Sequence, residues 1–112
     1  MLHLRVHPDN PQERLISQAV ERIRAGDVVV YPTDAAYAIG CQIGNKNAME
    51  RIAQIRNLGA KHQYAIICAD LSDLATYAKV DNATYRLLKA NTPAITTYIL
   101  PATSEVPRRL MH

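Results

Sequence analysis

Four strand-forming residues in a row, Val28-Val29-Val30-Tyr31, stand between the breaker Gly26 and the step Pro32-Thr33-Asp34. The run does not alternate with polar residues, so both faces of the predicted strand are expected to meet protein, as in a sheet covered by helices. The turn then lies at the strand's carboxyl end, where open α/β sheets hold their ligands. Upstream, Leu2, Leu4 and Val6 alternate with His3, Arg5 and His7, the period of a strand with one wet face, and Pro8 ends it. Asn10-Pro11-Gln12-Glu13 reads as a helix start, with Asn10 at the cap, proline at the first helical position and Glu13 three residues after the cap. Leu15, Ile16, Ala19, Val20 and Ile23 make one apolar stripe at helical spacing, closed by Gly26.

After the turn, Tyr37-Ala38-Ile39-Gly40-Cys41 can pair back as a second short strand, and Gly44-Asn45 punctuates the chain. A helical pattern runs from Lys46 through Ala48, Met49, Ile52, Ala53 and Ile55 and fades at Asn57-Leu58-Gly59. A polar loop, Gly59 to Gln63, leads to an apolar strand, Tyr64-Ala65-Ile66-Ile67-Cys68. Asp70-Leu71-Ser72-Asp73 caps a short helix carrying Leu71, Leu74, Ala75 and Ala78. Asp81 or Asn82 opens another helix that turns Tyr85, Leu87 and Leu88 toward a core, and Ile95 to Leu100 is a β-branched strand stopped by Pro101. The alternation of strands and helices predicts a single α/β domain over residues 1–112, a twisted mixed sheet flanked by helices. Pro107-Arg108-Arg109-Leu110-Met111-His112 begins one more helix on which the sequence stops, so the domain is expected to be truncated at its C-terminal end.

Composition narrows this picture. At 112 residues the chain is one domain at most, and 48% hydrophobic residues suffice for a core. With no Trp, no Phe and six Tyr, the aromatic packing rests on rings whose hydroxyls want partners. No apolar run reaches the length of about 20 residues that spans a bilayer, and Met1 to Arg5 lacks a signal peptide's apolar segment, so no membrane contact and a cytoplasmic location are expected. Cys41 and Cys68 are too few for a disulfide framework or a zinc set and sit in apolar runs, as inert thiols do. A net charge of +3 and a pI near 9.0 are compatible with an anionic partner without requiring one.

Few residues stand out as chemistry. Thr33 and Asp34 read two ways: a hydroxyl and free backbone N–H groups holding a small polar ligand, or turn chemistry with Asp34 bonding its own backbone. Tyr37 is either a ligand-facing phenol or a core ring with a satisfied hydroxyl. Arg56 lies four residues after Ile52 and seven after Met49, on the apolar face of its helix, where a charge needs an anion; alternatively the helix has ended and Arg56 bonds its last carbonyls. Lys61 and His62 could join it as a phosphate clamp, or be merely solvated. The four histidines are too scattered for a metal site. There is no glycine-rich phosphate loop and no Ser-His-Asp or Cys-His arrangement, hence no evident nucleophile. What remains is a binding cleft with cations near it.

Taken together, Tyr31-Pro32-Thr33-Asp34, Tyr37-Ala38-Ile39-Gly40-Cys41, the helix leading to Arg56 and the Tyr64 to Cys68 run resemble the YrdC/YciO family. His7-Pro8-Asp9-Asn10-Pro11-Gln12, Lys46 to Ile52 and Glu105-Val106-Pro107-Arg108-Arg109-Leu110 are similar to its YciO branch, and the resemblance covers essentially the whole chain. It implies a YrdC-like α/β sheet with a concave, positively charged face that binds double-stranded RNA or nucleotides. Members with catalytic activity condense threonine, bicarbonate and ATP into threonylcarbamoyl-AMP, the donor for threonylcarbamoyladenosine in transfer RNA. By resemblance, Thr33 and Tyr37 would line the threonine pocket, Arg56 matches the first basic residue of a Lys-x-Arg motif, and Thr97 matches a threonine near the nucleotide. No cofactor is implied beyond ATP with Mg2+.

The departures from the family pattern set further expectations. Leu58 stands at the second basic position of Lys-x-Arg, Ala35 at the second threonine of the turn, and Ala38 and Ala94 at glycine positions, each adding a methyl where backbone approaches a ligand. The later Ser-x-Asn motif of the family is absent. Loss of a cation and a polar wall removes electrostatic stabilisation from adenylate-forming chemistry. The leading expectation is therefore RNA or nucleotide binding. Threonylcarbamoyl-AMP synthase or hydrolase activity is one alternative, and an inactive truncated fragment that self-associates through an exposed sheet is another.

Overall fold

The computed structural model describes residues 1–57, 59, 64–93 and 96–107. The protein is α/β, and its backbone packs as two compact units, Met1–Gly59 and Ala60–His112. In the first unit the order is α1 (Glu13–Arg24), β1 (Val29–Pro32), β2 (Tyr37–Gly40) and α2 (Lys46–Arg56). In the second it is α3 (Leu71–Tyr77) and α4 (Asn82–Asn91).

The segment before α1 differs from the sequence pattern. Residues 2–6 form no strand, and Leu2 and Val6 are exposed, because among the described residues no strand lies beside them. His7 stands in a polar turn instead of on a strand: its Nδ1 accepts from the N–H of Asp9 (3.2 Å) and of Asn10 (3.0 Å), while its own N–H donates to Gln12 Oε1 (2.9 Å). These bonds hold the backbone of residues 9 and 10 outside the helix, so the cap is Gln12 in place of Asn10. Helix α1 carries the predicted stripe, yet none of its residues is buried. Arg22 and Asp27 form an exposed ion pair of 3.3 Å at its end, a contact of small energetic weight.

β1 and β2 form an antiparallel hairpin in the register Val29↔Gly40, Val30↔Ile39, Tyr31↔Ala38 and Pro32↔Tyr37. Among the described residues the sheet has these strands alone. Val29 and Tyr31 are half-buried while Val30 and Pro32 are exposed, so β1 has one wet face, contrary to its unbroken apolar pattern. The pattern reports how well β-branched side chains fit a pleated backbone, and it does not specify how many layers cover the sheet. Gly40 sits diagonally across from Tyr31, and a Cβ there would meet the ring's Cε1 at 3.1 Å.

α2 follows its sequence signals at both ends. Asn45 Oδ1 accepts from Ala48 N–H at 3.0 Å, and Asn57 closes the helix in the left-handed conformation (φ 53°), its N–H directed at the Ala53 and Gln54 carbonyls. Gly26 passes beside this cap with φ 98°, where a Cβ would stand 3.0 Å from Asn45 Nδ2. Ala48, Met49 and Ile52 are the buried apolar side chains of this unit among the described residues.

In the second unit, Asp70 accepts from Asp73 N–H (3.0 Å) and from the Ser72 hydroxyl (2.6 Å), and Asp81 accepts from Thr84 N–H (2.7 Å). The two carboxylates thus cap α3 and α4, which pack together. Residues 64–68 and 96–100 are not strands; the chain meets α3's end through one antiparallel bridge, Ala78↔Ala102. Lys79 N–H donates to the Pro101 carbonyl (2.8 Å), and Thr103 donates through its N–H to Tyr77 (3.0 Å) and through its hydroxyl to Thr76 (2.5 Å). Apolar β-branched runs need a neighbouring strand to satisfy their backbone, and these have none among the described residues. Ala78, Leu88 and Val106 are buried, whereas Tyr85 and Leu87 are exposed, against the sequence expectation. The inward line of α4 runs through half-buried Thr84 to Leu88, and Tyr85 and Leu87 lie about 80° to either side of it.

Candidate functional site

The candidate residues of the first unit lie in the hairpin turn and at the end of α2. The turn spans Thr33 to Ala36, and Thr33 organises it: its N–H donates to the Ala36 carbonyl (2.9 Å). Its hydroxyl donates to the same carbonyl and accepts from the N–H of Ala35 (3.2 Å) and of Ala36 (3.0 Å). The Thr33 side chain thus performs the turn-forming role that the sequence assigned to Asp34. Asp34, Ala35 and Ala36 are exposed around it. Tyr37, the first residue of β2, is 77% exposed, so its ring is a surface group and not part of the core.

Arg56 is the last residue of α2 and is exposed. It follows Met49 and Ile52 on the same helical line, about 10 Å beyond Met49. Burial of Ala48, Met49 and Ile52 fixes the helix, and the guanidinium projects where the buried stripe runs out into solvent. Among the described residues Arg56 has no ion-pair partner. Its place in the last turn also complements the carbonyl end of the helix. The left-handed Asn57 beside it was not singled out from sequence; an asparagine directly after a periodic helix is the signal that finds it.

Thr97 is exposed in the second unit, and Lys61 and His62 lie outside the described residues. Among the described residues no group of three His, Cys, Asp or Glu side chains is placed to hold a metal ion. Cys41 and Cys68 are unbridged and half-buried. Burial pushes the Cys41 thiol above its ordinary value, and burial followed by the Asp73 and Asp70 carboxylates pushes up that of Cys68. Neither is an activated nucleophile.

A family model for Sua5, YciO and YrdC, described as telomere recombination, matches residues 21–112. The YciO protein of Escherichia coli (strain K12) is 59% identical over 106 residues, covering 95% of this chain and 52% of its own length. A threonylcarbamoyl-AMP synthase of Nitrosococcus oceani is 36% identical over 90 residues, covering 80% of this chain and 49% of its own length. Among solved structures, E. coli YciO superposes with a TM-score of 0.85 at 60% identity, over 94% of this chain and 51% of that one. A variant of P. abyssi Sua5 superposes at 0.83 and 29% identity, over 91% of this chain and 32% of that one. The chain spans about half the length of the curated relatives it matches. Among the described residues, no helix is long and apolar enough to cross a membrane.

Proposed function

The chain belongs to the Sua5/YciO/YrdC family, and from that premise we propose that it binds the phosphates of RNA or of a nucleotide, with Arg56 as the phosphate-facing cation. The observation that carries this reading is Arg56 itself. It is an exposed guanidinium with no ion-pair partner among the described residues, on a helix fixed by three buried side chains. A guanidinium offers a rigid fork of donors that matches phosphate oxygens, and a fixed helix holds that fork at little further entropic cost.

The test is equilibrium binding of ATP and, separately, of an RNA duplex from about 50 to about 200 mM salt. Affinity should fall as salt rises, because each phosphate contact releases counterions. Arg56→Ala should weaken binding for every RNA sequence alike and reduce the salt slope by about one. The ATP and RNA arms distinguish a nucleotide site from a backbone-tracking surface. Absence of binding of either at low salt, or an unchanged slope in the variant, overturns the reading.

The likeness to the N. oceani synthase favours a second reading, formation of threonylcarbamoyl-AMP from threonine, bicarbonate and ATP. In that reaction Mg2+ would be supplied with the nucleotide, bound to its phosphates. Detection of the adenylate product by mass spectrometry separates this reading from binding alone. Nucleotide binding without product leaves the first reading standing and removes the second.

A further inference from the structure

Two starts for α1 compete over one backbone donor. The sequence writes a helix that begins at Asn10, with Pro11 in the first helical position and Glu13 three residues after the cap. The structure begins it after Gln12, whose ψ of 119° is extended and whose side chain caps nothing. Gln12 Oε1 is taken by the His7 N–H (2.9 Å), and among the described residues the N–H groups of Glu13 and Arg14 have no acceptor. The donor in dispute is the Asn10 N–H. Here it donates to His7 Nδ1 at 3.0 Å. In a helix that starts at Asn10, the same N–H is the group to which the Glu13 carboxylate reaches back.

The charge on His7 decides between the two acceptors. His7 Nδ1 also accepts from the Asp9 N–H at 3.2 Å, so the ring is neutral with its proton on Nε2. A second proton has to enter at Nδ1, where two N–H donors already point, and charging the ring therefore breaks both bonds. A carboxylate ordinarily stays ionised down to about pH 4, so Glu13 is still an acceptor when an imidazole takes its proton at about pH 6.5. The charged and titratable groups along this turn are His3, Arg5, Asp9 and Glu13, and among the described residues no carboxylate of this or any other element lies within ion-pair distance of the ring. We propose that residues 7–13 are a proton-driven switch of the start of α1: with His7 neutral the helix starts after Gln12, and with His7 charged it starts after Asn10. The second state makes Pro11 and Gln12 helical. The Asn10 side chain then accepts from the Glu13 N–H, and the Asn10 carbonyl accepts from the Arg14 N–H. Pro11 has the fixed φ of a first helical residue, and the cap position keeps Asn10 in the extended backbone that a residue before proline prefers. The rotation falls on Gln12, whose ψ turns from 119° into the helical range. This switch is independent of phosphate binding by Arg56.

The test follows the intact 112-residue chain by NMR from about pH 7.5 to about pH 5. The Cα resonances of Pro11 and Gln12 should move to helical values along the same curve as the His7 ring signals. Over that range the protection of the Glu13 and Arg14 amides against hydrogen exchange, corrected for intrinsic rates, should rise about fivefold as each gains an acceptor. His7→Asn keeps a side-chain oxygen for the Asp9 N–H and cannot titrate, so it should hold the Gln12 start at both ends of the range. His7→Ala has no acceptor to offer and should show the Asn10 start already at neutral pH. His7 is exposed, so neither variant touches the buried Ala48, Met49 and Ile52 of this unit. Pro11 and Gln12 resonances that ignore the His7 titration, a Gln12 start that persists in His7→Ala, or an undiminished pH response in His7→Asn would overturn the proposal.

Discussion

Thr33 illustrates how one hydroxyl can be accounted for by the local fold. Its three side-chain hydrogen bonds close the hairpin, so its removal is felt before any ligand is considered. Thr33→Val keeps the shape and deletes the bonds, and it should lower stability by about 1 kcal/mol, read from the denaturant midpoint. Thr33→Ser should restore most of that loss. A hydroxyl serving a ligand alone would leave the free protein's midpoint unchanged in both variants. The thiols give a second residue-level prediction. With burial and two carboxylates disfavouring the Cys68 thiolate, and burial alone disfavouring that of Cys41, both should react with iodoacetamide at pH 8 more slowly than a free thiol. Reaction at or above the free-thiol rate would contradict the stated environments.

At the scale of elements, the helices were legible wherever their ends are written in local chemistry. Asn45, Asp70 and Asp81 each accept the N–H three residues on, a bond that needs no knowledge of the rest of the fold. Asn45→Ala should therefore cost about 1 kcal/mol. The aspartate caps add a pH dependence. Bonds from Ser72 and then Asp73 hold the Asp70 carboxyl below its ordinary 3.8, and those from Thr84 hold Asp81 below the same value. A carboxyl lower in the folded than in the unfolded state stabilises the fold above the unfolded value, and this contribution is lost as pH falls through the folded one. The caps should be intact at neutral pH, and helical circular dichroism should decline only below about pH 4. Asp81→Asn, which keeps an acceptor without the charge, should blunt that decline. The strands were less legible because a strand is defined by its neighbour. Val29–Pro32 has Tyr37–Gly40 four residues on and pairs with it, whereas residues 2–6, 64–68 and 96–100 carry equally good patterns and find no ladder among the described residues. Arg56 was placed correctly on its helical line by periodicity, but its exposure depends on where the helix ends, which the left-handed Asn57 decides.

For the whole molecule, what matters is how little apolar side chain is sequestered. In the described residues the first unit buries Ala48, Met49 and Ile52, and the second Ala78, Leu88 and Val106. The absence of an evident linker predicts one cooperative domain, and the two compact units of the backbone are separated by no compositional change, so whether they unfold together is a question for experiment. Each unit is below about 60 residues, the size at which folding buries only about 60% of the unfolded surface and stability is marginal. Cores this small should open sub-globally at different free energies. Hydrogen exchange under increasing urea should then show the α2 amides and the α4 amides merging into two separate isotherms, each with a slope below that expected for a cooperative 112-residue chain. A single isotherm shared by both helices, with the full slope, would mean that the two units unfold as one domain. Leu88→Ala provides the control on that distinction. It truncates a side chain 2% exposed and should cost about 2 to 5 kcal/mol where its unit is well formed. In two independent units that loss shifts the α4 isotherm and leaves the α2 isotherm in place, and in one cooperative domain both move together.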